Sequence, residues 1–511
     1  MSQTNFNKNY IKIYFWKILS LLTGFLSLFI VVPHLSQNKE IFGIYSLCIS
    51  LTLYLSYADI GFLSAGQKYA SEAFIKNNRK TEIELLGFTG AILLLMIIPF
   101  SLVMIYLSFN PEVLISNISD NGRSISSSIL LILGLVFPIQ IIIQRLVQSI
   151  LIIRIKDYIS MKIDVFFNII KIVSVFYFFS KGSYRIVDYY LFITLISLIS
   201  SIIILYKIKK EEDYDFKLLF KSISLKRKEY EITKKLAFSS LFLSIGWVIY
   251  YELDLIIIGK VFGPNEIAIY AVGFSFLNFL RNLWNIVFSP FSQRFNHFAG
   301  LNDDIKMRKI IRNIINFTFP LCIIVTFVLF ISSEKIIHYW VGNEYSDSIV
   351  ILQVLIIGTC FGFVTNPSSY YITAKTKYNY INFLALSLPI SFVLGVLFLL
   401  PSFNTLAVAI SKSMTMLIAF VIYYIAIKKV YNPIISIKKW GLYLLTICVI
   451  IGFLLQYLLN TFFISQAKSS INLFLLFALI ITIIVVAYLL LILSKKEDRK
   501  EISDLIVLLK K

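Results

Sequence analysis

The strongest chemical signal in the sequence is a row of polar side chains inside an apolar run at 264–290. Steps of three and four residues place its members within roughly a 100° arc of one helix face: Ser275, Asn278, Arg281, Asn282, Asn285 and Ser289. An arginine inside a membrane is costly unless it faces protein or water, and neighbouring amides can bind hydroxyl groups. We therefore interpret the row as a water-accessible helix face that binds a ligand. The alternative is a polar seam that joins two helices.

Other cations and amides extend this interpretation to the first half of the chain. The run at 125–151 carries Gln144, Arg145 and Gln148, and the run at 159–180 carries Lys171 on the same face as Asp164. Intramembrane cations with few acidic partners favour an anionic ligand. Arg145, Gln144, Gln148 and Lys171 are therefore candidate binding residues, and structural pairing between helices is the alternative.

Aromatic side chains form a second class of candidates. Tyr57 lies in a polar and aromatic stripe at 46–61, and Trp247 and Tyr251 share one face of the run at 236–258. Rings of this kind can stack on sugars. Helix packing is the alternative role of the stripe, and an aromatic belt at the membrane surface is the alternative for Trp247 and Tyr251.

Three carboxylates are candidates for coupling transport to an ion gradient: Asp59, Asp254 and Glu252. Asp59 lies near the predicted inner end of its run, where a helix cap or a charge partner is the alternative role. On one continuous helix Glu252 and Asp254 would point about 200° apart. A paired-carboxylate site like that of a glycosidase is therefore not expected.

The sequence lacks the motifs of catalytic and cofactor-binding proteins. All four cysteines fall inside apolar runs without a Cys-x-x-Cys pair, and the three histidines stand apart from one another. These spacings do not match a metal site. There is also no phosphate-binding loop, zinc-helix motif or nucleophile elbow. We predict a protein that is not an enzyme and that uses no cofactor or metal.

Membrane helices must position these side chains, because the composition excludes a large soluble domain. Of the 511 residues, 58% are hydrophobic and 15% are charged, and the mean hydropathy is +0.82. Apolar runs of spanning length lie at about 12–33, 43–65, 85–108, 125–151, 159–180, 187–206, 236–258, 264–290, 310–331, 346–368, 378–400, 404–427, 440–460 and 471–493. Without strand-like alternation, such runs must be helices in lipid. We predict an all-α polytopic membrane protein with fourteen transmembrane helices.

The distribution of basic residues predicts the topology. The N-terminus, the even-numbered connections and the C-terminus hold 35 of the 48 lysines and arginines, whereas the odd-numbered connections hold 7. Cytoplasmic segments carry such an excess. We therefore predict that both termini are cytoplasmic, and that the net charge of +20 reflects topology rather than nucleic-acid binding.

An internal repeat predicts how the chain is organised. An offset of 225 lays residues 41–45 onto 266–270, and an offset of 221 lays Pro99 onto Pro320 and Arg154 onto Lys375. Because six spans per repeat is an even number, the two halves have the same orientation. The predicted domains are a six-helix bundle at 1–206, a cytoplasmic linker with an amphipathic segment at 207–235, a second bundle at 236–427, and two extra helices with a tail at 428–511.

Several motifs together resemble one family of exporters. They are Phe42-Gly43-Ile44-Tyr45, Ala58-Asp59-Ile60-Gly61, the run from Asp254 to Gly259 with Phe262-Gly263-Pro264, and Tyr270 with Ser289-Pro290. The chain in this respect resembles the O-antigen flippases, polysaccharide transporters of the superfamily that also contains the multidrug (MATE) exporters. One position departs from the family pattern: Ala268 stands where the family usually has a glycine, two residues before Tyr270. The turn at this point is therefore expected to be less tight.

The resemblance implies transport of an oligosaccharide linked through pyrophosphate to undecaprenol across the bacterial inner membrane, coupled to an ion gradient. It implies a central cleft lined by spans one, two, seven and eight, with Arg281 and Arg145 at the phosphates and Asn278, Asn282 and Asn285 at the sugars. The partners implied are the lipid-linked substrate, membrane lipids, a polysaccharide polymerase and a chain-length regulator. The alternative is a MATE-type exporter of organic cations, whose cleft should be acidic. An integral-membrane polymerase is a third class, which the short predicted outer connections disfavour.

Overall fold

The computed structural model describes residues 3–57, 61–180, 183–300, 303–375, 378–428, 437–463 and 468–493. Every regular element in these ranges is helical, which confirms the all-α prediction for the described part of the chain. Contacts divide the chain into two compact units, Met1–Ala268 and Ile269–Lys511. The domain boundaries drawn from the sequence repeat remain predictions.

The first unit contains the following helices: α1 (Gln3–Leu35), α2 (Lys39–Tyr57), α3 (Phe62–Ile75), α4 (Arg79–Phe109), α5 (Asp120–Leu135), α6 (Phe137–Ile153), α7 (Tyr158–Phe178), α8 (Ile186–Glu212), α9 (Phe216–Lys221), α10 (Arg227–Glu252) and α11 (Asp254–Val261). One apolar core of this unit joins α4, α6 and α8, with Leu86, Ile150 and Ile204 fully or almost fully buried.

The unit boundary falls inside α12 (Pro264–Gly300). The helices that follow are α13 (Asp304–Trp340), α14 (Asp347–Thr359), α15 (Gly362–Ala374), α16 (Tyr378–Phe403), α17 (Leu406–Lys428), α18 (Ile437–Phe462) and α19 (Ser470–Leu493). Helix α13 is central in the second unit, because it contacts α14, α15, α18 and α19.

Nine helices in the described residues are long and apolar enough to cross a membrane, and α14 and α15 together would form a tenth, bent by 42°. The chain is therefore a multi-pass membrane protein. Each predicted apolar run coincides with one helix or with a pair of helices. The total of fourteen spans remains a prediction.

Four of the predicted runs are broken into two helices. The breaks separate α2 from α3, α5 from α6, α10 from α11, and α14 from α15. At the first break Gly61 adopts a left-handed backbone with φ 74° and ψ −2°, a conformation that glycine reaches without a steric penalty. At the second break Pro138 lies in the first turn of α6, where its missing N–H costs nothing.

Matching local arrangements occur in the two units. Arg154 caps α6 and forms an ion pair with Glu82 of α4, whereas Lys375 caps α15 and forms an ion pair with Asp304 of α13. The first turn of α4 is capped by Asn78, and that of α13 by Asp303. Arg154 and Lys375 are 221 residues apart and Asn78 and Asp303 are 225 apart, as in the sequence repeat, whereas Glu82 and Asp304 are 222 apart. The repeat itself remains a prediction.

Gly43 shows why the first family-like motif needs a glycine. A methyl group added at Gly43 would collide with the carbonyl oxygen of Pro264 and would lie 3.2 Å from the Ala268 nitrogen. The backbones of α2 and of the first turn of α12 therefore approach each other closely within the first unit. Only glycine permits this approach.

Candidate functional site

The polar row of α12 is more open to solvent than the apolar side chains that lie between its members. Asn282 and Asn285 are exposed, and Asn278 and Arg281 are half-buried. Trp284 and Phe288 are buried, with exposures of 4% and 0%. The Ser275 hydroxyl donates to the Ala271 carbonyl at 2.7 Å and so serves its own helix. The side chain of Ser289 lies outside the described set.

Asn278 carries a further polar atom that is available for binding. Its Oδ1 atom is buried and has no hydrogen-bond partner among the described residues, and the same holds for the Trp284 ring nitrogen. Buried polar atoms are normally satisfied, so such atoms call for an explanation such as a ligand or bound water. The α12 face can therefore both donate and accept hydrogen bonds.

Helix α15 contributes polar side chains that the sequence reasoning missed. The Tyr370 hydroxyl donates to Asn285 Oδ1 at 3.3 Å, and a methyl group added at Gly362 would lie 3.7 Å from the Trp284 ring. The side chains that share one face of α15 at helical spacing are Asn366, Ser369, Tyr370 and Thr373. That spacing was the signal in the sequence that could have identified them.

A second polar face lies in the first unit, on α6 and α3. Gln144, Arg145 and Gln148 are half-buried, and Gln144 accepts a hydrogen bond of 2.7 Å from Gln140. Gln67 of α3 donates to Ser149 of α6 at 2.9 Å. Gln67 is not among the residues predicted from the sequence, although Ser64, Gln67 and Ser71 follow one another at helical spacing.

The two units build these faces from corresponding elements. The offset of 221 lays Gln144 and Gln148 of α6 onto Thr365 and Ser369 of α15. Both α6 and α15 are the second halves of broken runs. The units therefore present polar side chains on corresponding elements, α6 and α15. Their half-buried arginines lie on elements that do not correspond, Arg145 on α6 and Arg281 on α12.

The predicted coupling carboxylates occupy a different place, at the junction of α10 and α11. Glu252 and Asp254 flank Leu253 and are 3% and 1% exposed. The Tyr54 hydroxyl of α2 donates to the Glu252 carbonyl at 2.9 Å. Because the helix is broken here, the two carboxylates do not follow the single helical phase assumed from the sequence.

Two of the remaining candidates, Tyr251 and Lys171, make contacts within the first unit. Tyr251 is buried, with its ring edge-on to Tyr250 at 4.5 Å. Lys171 donates to Ser197 of α8 at 2.6 Å, while the nearby Asp164 accepts from Ser200 at 2.9 Å. Lys171 therefore links α7 to α8. Asp59 and the side chains of Tyr57 and Trp247 lie outside the described residues.

Comparison with solved structures identifies the fold. The chain is similar to the lipid II flippase MurJ in an inward closed conformation, with a TM-score of 0.70, 15% identity, and coverage of 95% of this chain and 99% of that chain. An inward-facing multidrug resistance MATE family transporter of the MOP superfamily gives 0.62 at 12% identity, covering 82% of this chain and 100% of the other. A mutant of the Vibrio cholerae MATE transporter VcmN gives a TM-score of 0.59 at 10% identity, and the match covers 83% of this chain and 98% of the other.

The chain thus has the fold that MurJ and the MATE transporters share. The MurJ structure accounts for a larger share of this chain than the MATE structures do. These neighbours are a flippase and transporters rather than enzymes. No protein-family profile and no curated protein sequence matches the chain.

Proposed function

We propose that this protein is a flippase that moves an oligosaccharide, linked through pyrophosphate to undecaprenol, across the bacterial cytoplasmic membrane. The cargo would be a repeat unit of O-antigen, capsule or a related surface polysaccharide. The observation that carries the proposal is the α12 face, where half-buried Arg281 stands beside exposed Asn282 and Asn285. A fold shared with a protein named as a lipid II flippase supports it.

The chemistry of such a head group matches the side chains available. Pyrophosphate is an anion that guanidinium groups bind in a bidentate manner, and Arg281 and Arg145 would hold it. Sugar hydroxyls both donate and accept hydrogen bonds, as side-chain amides do. Asn278, Asn282 and Asn285 would bind them in the second unit, and Gln144 and Gln148 in the first. The polyprenyl tail would stay in the lipid.

Movement would follow alternating access, driven by an ion gradient because the sequence contains no phosphate-binding loop for ATP. Glu252 and Asp254 are the proposed coupling residues of the described part, since two buried carboxylates at a helix break can change charge by binding a proton or a cation. Asp59 completes this set. Both termini would be cytoplasmic, and a polysaccharide polymerase and chain-length regulator would act on the product.

The second candidate function is export of organic cations, which the similarity to the MATE structures favours. A cationic cargo needs acidic partners, whereas the two polar faces carry Arg145 and Arg281. Expression of this protein in a drug-sensitive strain separates the two functions. The flippase proposal predicts no change in drug resistance.

The decisive genetic test replaces Arg281 in a strain that depends on this chain. Arg281→Ala should accumulate the lipid-linked unit on the inner leaflet and deplete the surface polysaccharide, at unchanged protein abundance. Arg123→Ala is the matched control, because Arg123 forms an ion pair in which both side chains are about half exposed. Normal surface polysaccharide in the Arg281→Ala strain would remove this residue from the mechanism.

A further inference from the structure

The connection between α8 and α10 is rich in basic residues, and the proposed transport of the cargo does not explain them. Residues 207–235 contain ten lysines and arginines against six aspartates and glutamates. Helix α9 lies in its middle, and the side chain of Asp215 caps it by accepting from the Leu218 amide at 2.9 Å.

One side of this connection is anchored to the first unit. Tyr214 and Leu219 are 3% and 2% exposed and belong to the core that includes Leu86 of α4. A methyl group added at Gly87 of α4 would lie 2.6 Å from Ser222. The segment is therefore packed directly against α4 and has a fixed orientation within its unit.

Most of the acidic residues of the connection serve internal contacts. Glu212 pairs with Arg154 and Lys156, Glu211 with Lys207, and Glu231 with Lys234. Glu229 is buried, with an exposure of 4%. These carboxylates do not neutralise Lys217 and Lys221, for which no ion pair occurs within the described residues.

The other side of the segment combines lysines with exposed apolar groups. Lys217, Phe220 and Lys221 share one face of α9, because they are three and four residues apart. Phe220 is 61% exposed, and Leu225, just beyond α9, is 58% exposed. We name these four residues the basic apolar face. Lysines around an exposed aromatic ring are typical of a helix that lies in a membrane interface.

The depth of the segment fits this interpretation. Helix α4 has 31 residues and is a candidate span, whereas about 20 residues suffice to cross the hydrocarbon. Its contact with Ser222 is at Gly87, the ninth residue of α4 and so about 12 Å from its start. This part of α4 therefore lies near the boundary between hydrocarbon and head groups, on the side where the lysine count predicts the cytoplasm.

We propose that the basic apolar face binds the head groups of anionic phospholipids, with Phe220 and Leu225 inserted among the first acyl carbons. The two lysines provide charge complementarity to the phosphates, and the fixed inner side of the segment holds them in place. This proposal requires only that the chain spans a membrane, and it does not depend on the cargo.

Brominated lipids can test the proposal in the full-length protein. A fluorescent label is placed at Phe220→Cys in a variant whose four native cysteines are replaced, and the protein is reconstituted with brominated phosphatidylglycerol or brominated phosphatidylcholine. Both lipids should quench the label, and phosphatidylglycerol should bind more tightly. In the Lys217→Gln/Lys221→Gln variant, the binding constant for phosphatidylglycerol relative to that for phosphatidylcholine should fall by roughly tenfold or more.

The matched control is Lys234→Gln/Lys306→Gln, which removes the same charge from two lysines that are held in ion pairs at i,i+3 spacing. This variant should keep the preference for phosphatidylglycerol. Equal binding of the two lipids by the labelled protein that retains Lys217 and Lys221 would overturn the proposal. Quenching by aqueous iodide alone would also overturn it, and would indicate a face that is free for a cytoplasmic protein.

Discussion

Arg281 is the side chain on which the proposed chemistry depends most. It is half-buried beside amides that are themselves open, so a ligand can reach the group while part of the water is already displaced. Partial desolvation strengthens an arginine–phosphate contact, because the effective dielectric constant falls. The same reasoning applies to Arg145 in the first unit.

Tyr370→Phe tests whether α15 takes part in binding. The change removes the hydroxyl that donates to Asn285 and leaves the ring in place. A hydrogen bond contributes about 0.5–1.5 kcal/mol, so loss of the hydroxyl from the binding surface should lower the rate of surface polysaccharide export by up to about tenfold. The free energy of unfolding should fall by no more than about 1.5 kcal/mol.

Tyr177→Phe is the control for this variant, since Tyr177 is 65% exposed and its ring lies against Arg185. An unchanged export rate in Tyr370→Phe would exclude the Tyr370 hydroxyl from the binding surface.

Sequence spacing predicted the α12 row but not its partners, for a physical reason. Asparagine and arginine are expensive inside a membrane, so their presence alone marks a position as special. Serine, threonine and tyrosine are tolerated in membrane helices, so Ser369 and Tyr370 did not stand out. Their helical spacing marks a polar face of α15, but no local pattern shows that this face lies against α12.

Helix breaks are the structural feature of the elements that most concerns function. Gly61 joins α2 to α3 with a left-handed backbone, and the half-helices α6 and α15 carry the polar side chains after their breaks. A broken helix leaves backbone groups free for ligands or for bending, which a continuous helix does not offer.

Gly61→Ala should destabilise the protein by about 1–2 kcal/mol, because a side chain at this φ clashes with its own backbone. Thermal unfolding of the purified protein measures the effect. Gly24→Ala is the control, since nothing lies within 4 Å of the added methyl group in α1. Equal stability of both variants would show that the left-handed turn does not hold the two helices in place.

The ion pair between Arg154 and Glu82 should contribute strongly to stability. Both side chains are almost fully buried, at 3% and 1% exposure, and the two charged groups are 2.8 Å apart. In Glu82→Gln the buried guanidinium keeps Glu212, at 3.5 Å, as a carboxylate partner and the Ile150 carbonyl, at 3.2 Å, as an acceptor. We therefore expect a loss of about 3 kcal/mol, at the lower end of the range for a broken buried ion pair.

Glu112→Gln is the matched control for Glu82→Gln, because it breaks the half-exposed pair with Arg123 and should cost less than about 1 kcal/mol. Equal unfolding temperatures for the two variants would contradict a structural role for Arg154.

The positions of the helices could be predicted from the sequence, but only two of the four breaks have a local signal, Gly61 and Pro138. Apolar length fixes where a chain crosses lipid, and each predicted run does coincide with a helix or a helix pair. Apolar composition continues unchanged through Val136 and Cys360, where runs are interrupted. The break at Leu253 also lies within an apolar run, so Glu252 and Asp254 could not be placed from helical phase alone.

Across the whole chain, the repeat offsets and the lysine distribution make one prediction about topology. Residues 110–119 should face the outside, and residues 213–226 should face the cytoplasm. In a variant without native cysteines, a membrane-impermeant maleimide should label Asn117→Cys in intact cells and Ser224→Cys only after lysis. The reverse pattern would overturn the predicted orientation.

Reconstitution tests the central claim most directly. Vesicles that contain the purified protein and an undecaprenyl-pyrophosphate-linked oligosaccharide on one leaflet are treated with an impermeant enzyme that modifies only exposed sugars. The wild-type protein should expose sugars from the opposite leaflet over time, and Arg281→Ala should stay near the level of protein-free vesicles. If folded wild-type protein leaves the lipid-linked sugars as inaccessible as protein-free vesicles do, the chain does not translocate this class of cargo.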